Sequence, residues 1–221
     1  MTFFVAILSR DTIKNECAFT LMQLCHTLGK MGHEVFPFII DSCFVDEGRN
    51  VCFEKAKEKN VDYLFFIDSD IYISSDLRET IDKMINLNKD VVAALYFGRN
   101  VPHRPSALQI TENIGIYKSI LEIPEKPFQI EITGCGFTLI KRKILNAFTG
   151  EIIQKIGKPF SFIEKHNMAD DPHREDISFC LRLKKLGFEI WIDPTIETGH
   201  VFKTGINKLH WDAAAKNKEK I

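Results

Sequence analysis

Apolar residues in the first hundred positions follow two alternating patterns. Residues 2–8 and 63–67 are continuous apolar runs, which are typical of strands covered on both faces. Between them, apolar residues recur at three- and four-residue steps, which indicates an amphipathic helix that ends near Gly29 or Gly32. Strands separated by such helices favour parallel pairing through right-handed crossovers. The pattern therefore predicts a three-layer α/β/α fold with a mostly parallel central sheet.

The second half of the chain is less regular. Four prolines within residues 98–130 favour short strands there, and residues 150–174 have a mixed composition that predicts a loop. No repeat or linker interrupts the chain, so we expect one domain over residues 1–206 and a polar tail over 207–221. The predicted strands cover 2–8, 35–40, 63–67, 91–96, 106–110, 116–121, 137–140, 189–192 and 196–201. The predicted helices include 51–59, a helix capped by Asp76, 142–148 and 177–186.

Composition and charge narrow the classes of function. The 221 residues are 45% hydrophobic and 27% charged, with 29 basic and 30 acidic side chains, which excludes a disordered or fibrous chain. With a net charge of −1, the chain lacks the excess of basic residues that is typical of a general nucleic-acid binder. No apolar run approaches the roughly 18 residues of a membrane span. The six cysteines form no C-x-x-C pair, which argues against structural zinc and favours a reducing compartment such as the cytoplasm.

Acidic residues follow the buried strand 63–67. Asp68 and Asp70 are separated by Ser69, at the kind of strand end where parallel sheets bind ligands. Two carboxylates at this spacing can face one hard cation, Mg²⁺ or Mn²⁺, which leaves positions for phosphate oxygens. Aspartate also favours turns and helix caps, so a purely structural role stays open for both residues.

Two further groups stand near predicted element ends. Glu175 and Asp176 open a helix, where acidic residues ordinarily complement the helix dipole but can also present a general base. His200 ends the last predicted strand, and Lys203 follows three residues later, where it could meet a phosphate. A lone histidine is more often a structural group than a ligand, so both interpretations of His200 remain open.

The order of these pieces resembles the nucleotide-sugar-dependent glycosyltransferases of the GT-A fold, especially the family 2-like group. The resemblance runs from about Phe3 to Lys203. Three stretches carry it: DYLFFIDSDIYIS, ITGCGFTLIKRKIL and REDISFCLRLKKLGFEIWIDPTIETGH.

The resemblance implies a role for each matching position. The D-x-D pair Asp68 and Asp70, completed by His200, would hold Mn²⁺ or Mg²⁺ against the donor diphosphate, and Asp176, next to Glu175, would be the base of an inverting transfer. The remaining matches are donor positions Ser9, Arg10, Asp11, Asp41, Arg49, Asn50, Asp68, Ser69 and Lys203, and acceptor-side positions Gly134, Cys135 and Gly136. The implied substrates are a nucleotide-diphosphate sugar and a glycan, lipid or protein acceptor.

Four alternatives remain at this stage. The stretch LYFGRNVPHRP is more like small relatives of which some transfer with retention. An aspartate-nucleophile phosphatase would carry threonine or valine at the position of Tyr72. A sugar-1-phosphate nucleotidyltransferase would need a glycine-rich phosphate loop early in the chain, whereas the first glycine here is Gly29. A non-catalytic module would bind a nucleotide sugar without releasing the nucleotide.

Overall fold

The computed structural model describes residues 1–9, 12–41, 44–99, 102–112, 116–162 and 175–201. The strands are β1 (Thr2–Ser9), β2 (Glu34–Asp41), β3 (Tyr63–Asp68), β4 (Ile71–Ile73), β5 (Val91–Ala94), β6 (Ala107–Ile110), β7 (Tyr117–Ser119), β8 (Phe128–Ile130), β9 (Ile132–Thr133), β10 (Phe137–Lys141), β11 (Ile190–Asp193) and β12 (Thr198–His200). The helices are α1 (Asn15–Lys30), α2 (Val45–Glu58), α3 (Leu77–Asn86), α4 (Arg142–Ala147), α5 (Gly150–Ile156) and α6 (Glu175–Lys185).

A seven-stranded sheet forms the centre, in the order β2-β1-β3-β10-β5-β11-β8. Strands β2, β1, β3, β5 and β11 run in one direction, whereas β10 and β8 run against their neighbours. The predicted mostly parallel α/β sheet is therefore confirmed. Two further ladders, β12-β4 and β7-β6-β9, complete the sheet structure of the described residues.

The continuous apolar runs place side chains on both faces of the sheet. Along β1, Phe4 and Ala6 join one apolar cluster, which includes residues of α2, α4 and α6. Phe3 and Val5 join a second cluster, with residues of α1 and α3. Because successive side chains of a strand point to opposite faces, an unbroken apolar run is what a strand between two helical layers requires.

Several predicted boundaries differ from the structure. The predicted loop over 150–174 contains helix α5, because the Thr149 hydroxyl accepts a hydrogen bond from the Ile152 amide at 3.3 Å and caps the helix. The predicted helix 51–59 begins earlier, at Val45, and acidic residues occupy its first turn. Strands β4, β8 and β9 were not predicted, because two or three residues carry too little periodicity.

The cysteines and helices add two observations. The five cysteines that the structure describes, Cys17, Cys25, Cys52, Cys135 and Cys180, are all free thiols. Within the described part of the chain, no helix is both long enough and apolar enough to cross a membrane. The predicted tail 207–221 lies outside the described residues.

Candidate functional site

The carboxyl ends of three neighbouring parallel strands meet at one edge of the sheet. Ser9 at the end of β1 is the register partner of Asp41 at the end of β2, and Leu8 is the partner of Asp68 at the end of β3. Ser9 is buried and Asp41 is exposed. The predicted donor-side residues at these strand ends therefore share one edge. Arg10 and Asp11, predicted to act beside them, lie outside the described residues.

The turn after β3 is anchored through its backbone. The Ser69 carbonyl accepts a hydrogen bond from the Lys14 amide at 3.0 Å, just before α1. The Asp68 amide donates to the Gly136 carbonyl at 2.9 Å, at the start of β10. These bonds hold the D-x-D turn between the chain that leaves β1 and the chain that enters β10.

Arg49 of α2 joins two of the predicted acidic residues. Its Nη2 lies 2.7 Å from Asp68 Oδ1, and its Nε lies 3.0 Å from Glu175 Oε1. The Arg49 side chain is only 3% exposed and packs over the Phe66 ring at 5.1 Å from its centroid. Burial by itself would lower the pKa of the guanidinium, but the neighbouring carboxylates outweigh it and raise that pKa. Arg49 thus ties α2, β3 and α6 together beneath the site.

Asp70 faces a different set of partners. Its Oδ2 lies 3.2 Å from His200 Nε2 and 3.1 Å from Arg99 Nη1. The other imidazole nitrogen of His200, Nδ1, is 2.9 Å from the Phe97 carbonyl. Burial tends to raise the pKa of Asp70, but the hydrogen bond with His200 and the charges of His200 and Arg99 lower it overall. Burial likewise tends to lower the pKa of His200, and the contact with Asp70 reverses this and raises it.

The contact between Asp70 and His200 depends on the small β12-β4 ladder. His200 is the register partner of Ile71, and the Val201 amide donates to the Asp70 carbonyl at 2.7 Å. Tyr72 covers the middle of the ladder, where a Cβ on Gly199 would lie 2.1 Å from the tyrosine ring. A residue at position 199 therefore has to be glycine for Tyr72 to keep this position.

Two glycines of the predicted acceptor side make room for Tyr96. A Cβ on Gly134 would lie 1.8 Å from Tyr96 Oη and 3.4 Å from Asp176 Oδ2, and a Cβ on Gly136 would lie 2.9 Å from the same ring. Burial, followed by the nearby carboxylates Asp68 and Asp176, raises the pKa of the Tyr96 phenol. Cys135 between the glycines is buried.

A cavity of about 640 Å³ opens beside Asp176. Asp176 Oδ1 accepts a hydrogen bond from the Ile177 amide at 2.7 Å, which orients the carboxylate at the start of α6. The described lining residues are Tyr96, Gly98, Arg99, Pro102, Arg104, Pro105, Ser106, Leu108, Tyr117, Ser119, Ile132, Thr133, Gly134, Asp176, Ile177 and His200. Asp176, Gly134 and His200, which were predicted from three distant stretches, thus border one cavity.

Two other residues of the predicted motifs hold a neighbouring loop. Asn50 accepts a hydrogen bond from the Phe160 amide at 2.9 Å, and its amide nitrogen lies 3.4 Å from the Ser161 hydroxyl. Arg182 of the α6 motif donates to the Ile156 carbonyl at 2.7 Å and to the Ser161 carbonyl at 2.6 Å. Both contacts are with residues 156–161, so this loop is fastened to α2 and α6.

The predicted metal ligands are brought together in part. Asp70 and His200 are in contact, whereas the Asp68 oxygen Oδ1 is directed to Arg49. Among the residues that the structure describes, no group of three or more His, Cys, Asp or Glu side chains is arranged to hold a metal ion. Lys203, predicted to meet a phosphate, lies outside the described residues.

Sequence reasoning missed two site residues, Tyr96 and Arg99. Both follow β5, whose carboxyl end lies at the same edge of the sheet as the ends of β1 and β3 because these strands run in one direction. The position after a buried apolar strand was therefore an available signal, the same one that identified Asp68.

Comparison with known proteins finds similarity at the level of structure. No family model matches the chain, and no curated protein matches it significantly. A197 from STIV superposes with a TM-score of 0.57 at 17% identity, over 92% of this chain and 87% of that one. UDP-glucose pyrophosphorylase complexed with UDP-glucose superposes with a TM-score of 0.50 at 11% identity, over 100% of each chain.

A third solved structure is a mutant of Drosophila β-1,4-galactosyltransferase 7 in complex with manganese, UDP-Gal and xylobiose. Its TM-score is 0.47 at 11% identity, over 96% of this chain and 79% of that one. At these identities a likeness shows the fold alone. The two superpositions with a TM-score of 0.50 or above confirm the expected GT-A-like α/β fold.

Proposed function

We propose that this protein is a metal-dependent glycosyltransferase that moves a sugar from a nucleotide-diphosphate sugar to an acceptor hydroxyl with inversion. The observation that carries the proposal is the cavity bordered by Asp176 and His200, with His200 in contact with Asp70. A candidate base and a candidate cation site thereby adjoin one space that can admit an acceptor.

The donor side of the proposal rests on the edge formed by β1, β2 and β3. Ser9, Asp41 and Asp68 end these strands side by side. In open α/β sheets, ligands bind beyond the carboxyl ends of the strands. We assign the nucleoside to this edge, with Arg10, Asp11 and Lys203 as further donor-side residues on the strength of the sequence resemblance.

The chemistry of the donor atoms suits a hard divalent cation. Asp70 and His200 supply a carboxylate and an imidazole that already touch, and Asp68 stands two residues away with its side chain 29% exposed. Oxygen and nitrogen ligands of this kind fit Mn²⁺ or Mg²⁺. Such a cation, held by Asp70 and His200, would neutralise charge on the departing nucleoside diphosphate.

Asp176 is assigned the proton transfer. The acceptor hydroxyl loses its proton to the Asp176 carboxylate as its oxygen bonds to the anomeric carbon, and the bond from that carbon to the diphosphate oxygen breaks. The Ile177 amide holds Asp176 Oδ1 at 2.7 Å, which fixes the carboxylate while the acceptor approaches. Attack from the face opposite to the diphosphate inverts the anomeric configuration.

The test is a panel of UDP-, GDP- and dTDP-sugars with Mn²⁺ or with chelator, in which nucleotide release and the product anomer are measured. We expect Asp176→Asn to lower kcat about a hundredfold or more, because general base catalysis contributes roughly 10²–10⁴-fold. Glu125→Gln, an exposed carboxylate with no place in the site, is the matched control.

Each rival activity has its own readout in that panel. Retention of the anomer with normal turnover in Asp176→Asn would assign a retaining route. Formation of a nucleoside triphosphate when pyrophosphate is supplied would indicate that the protein is a nucleotidyltransferase, as the structural neighbour UDP-glucose pyrophosphorylase is. Nucleotide-sugar binding without any release would indicate a non-catalytic module.

A further inference from the structure

The cavity beside Asp176 carries more positive than negative side chains. Its lining residues include the two arginines Arg99 and Arg104 and one acidic residue, Asp176. Arg99 is paired with Asp70, whereas Arg104 has no carboxylate within ion-pair distance among the described residues. Among the described residues, Arg104 therefore brings a positive charge that is in no ion pair to the cavity that the candidate base borders.

The backbone around Arg104 is held in place. Its carbonyl accepts a hydrogen bond from the Gly98 amide at 2.8 Å, and Phe97 and Pro105 form an antiparallel bridge. The Ser106 amide donates to the Tyr96 carbonyl at 2.8 Å. These contacts attach the segment that carries Arg104 to the end of β5, so Arg104 borders the cavity from a backbone that is held in place.

The same cavity is separate from the edge assigned to the nucleoside. None of Ser9, Asp41 and Asp68 lines it, and much of its wall comes from the β7-β6-β9 ladder. That wall includes Tyr117 and Ser119, two residues whose side chains carry hydroxyl groups. Arginine and hydroxyl-bearing residues that line one cavity supply the kinds of donor that recognise an oxyanion of a bound molecule.

We propose that the acceptor carries an oxyanion, a carboxylate or a phosphate, that pairs with Arg104 while the acceptor hydroxyl reaches Asp176. The planar guanidinium can donate two parallel hydrogen bonds to either group, which orients the acceptor as well as attracting it. The pairing also offsets the repulsion between an acidic acceptor and Asp176. This inference rests on the proposed function, because it names the substrate class of that site.

Binding of small probes tests the assignment. Methyl β-D-glucuronide, glucose 6-phosphate and neutral methyl β-D-glucoside are titrated into the protein with UDP and Mn²⁺ present, and affinities are measured by NMR. We expect at least one charged probe to bind roughly five- to tenfold more tightly than the neutral one. Preference for the glucuronide identifies a carboxylate acceptor, and preference for the sugar phosphate identifies a phosphorylated one.

Variants connect the preference to one side chain. We expect Arg104→Gln to abolish the preference, and Arg104→Lys to retain part of it because lysine keeps the charge but not the planar fork. Arg78→Gln is the matched control, since Arg78 is an exposed arginine of α3 that lines a different cavity. The preference should survive in this control.

Two results overturn the inference. One is equal affinity for charged and neutral probes, including no measurable affinity for either; the other is a preference that Arg104→Gln leaves unchanged. Titration of UDP with Mn²⁺ alone reports on the proposed function separately. Nucleotide binding without an anion preference would remove the acceptor assignment and leave the transferase. An anion preference without nucleotide binding would remove the transferase and leave only an oxyanion site at Arg104.

Discussion

Strand β3 has an arginine–aspartate ion pair at each end, and the two pairs have the same geometry in different surroundings. Arg142 Nη2 lies 2.7 Å from Asp62 Oδ1 just before the strand, and Arg49 Nη2 lies 2.7 Å from Asp68 Oδ1 at its end. Arg142 and Asp62 are 38% and 35% exposed, whereas Arg49 and Asp68 are 3% and 29% exposed, so the difference lies mainly in the arginine. Equal distances therefore join groups that differ in their access to water.

Burial decides what each pair does. Water screens an exposed pair and can solvate either partner alone, so such pairs contribute about 0–1 kcal/mol. A buried guanidinium has no water to replace a lost carboxylate, and removing one partner of a buried pair costs about 3–5 kcal/mol. The amino end of β3 thus has an ordinary surface contact, while its carboxyl end has a buried guanidinium that two carboxylates share.

The strongest test of this contrast exchanges each arginine for methionine. We expect Arg49→Met to lower the free energy of unfolding by about 2–3 kcal/mol, because Asp68 and Glu175 lose their shared partner but are 29% and 14% exposed to water. Arg142→Met should lower it by about 1 kcal/mol or less. Urea denaturation followed by circular dichroism measures both. Equal losses in the two methionine variants would contradict the contrast between the two ends of β3. If Arg49→Met does not fold, Arg49→Lys can be measured in its place, and we expect a smaller loss because lysine keeps the positive charge.

The next effect concerns the space behind Asp176. Gly134→Ala would put a Cβ 1.8 Å from Tyr96 Oη, so the ring has to move and we expect a loss of about 1–3 kcal/mol. The matched control is Gly150→Ala, where nothing lies within 4 Å of the added Cβ. Thermal unfolding compares the two. Adding Tyr96→Phe should recover part of the loss, and a double variant no more stable than Gly134→Ala would contradict the steric explanation.

A smaller effect on stability is expected at Asp70, the second aspartate of the D-x-D turn. Asp70→Asn should weaken Mn²⁺ binding about tenfold, because it removes the carboxylate that touches His200. The free energy of unfolding should change by about 1–2 kcal/mol, less than for Arg49→Met, since Asp70 is 21% exposed and its partners His200 and Arg99 are 17% and 54% exposed. Isothermal titration of Mn²⁺ gives the affinity. Unchanged Mn²⁺ binding would remove Asp70 from the proposed cation site.

The smallest effect is a pH dependence at the other end of β3. Burial tends to raise the pKa of Asp62, but hydrogen bonds from the Thr2 amide and hydroxyl and the charge of Arg142 lower it overall. A carboxyl whose folded pKa is lowered stabilises the fold above its unfolded pKa, and this contribution is lost as the pH falls through the folded pKa. We expect Asp62→Asn to lose less stability than the wild type on acidification from about pH 5, by under about 1 kcal/mol. Identical acid profiles would contradict this assignment.

The sequence indicated where these charged residues lie along the chain better than it indicated what they contact. Asp68 was identified from its place after a buried strand, and Arg49 from a two-residue match in a helix. Neither signal indicates that the two residues form a pair, because they belong to different elements and the pairing depends on how α2 packs on β3. Asp62 and Arg142 gave no signal at all, since a surface contact requires no particular pattern around it.

Local pattern determined the elements that form this protein, and tertiary packing determined how they meet. Unbroken apolar runs specified strands between two helical layers, because a strand's side chains alternate between the faces of the sheet. The insertion of the antiparallel β10 between β3 and β5, and the pairing of β12 with β4 that brings His200 to Asp70, had no such local signature. Each joins segments far apart in the chain, so it is settled by which arrangement buries the apolar faces of the whole fold together.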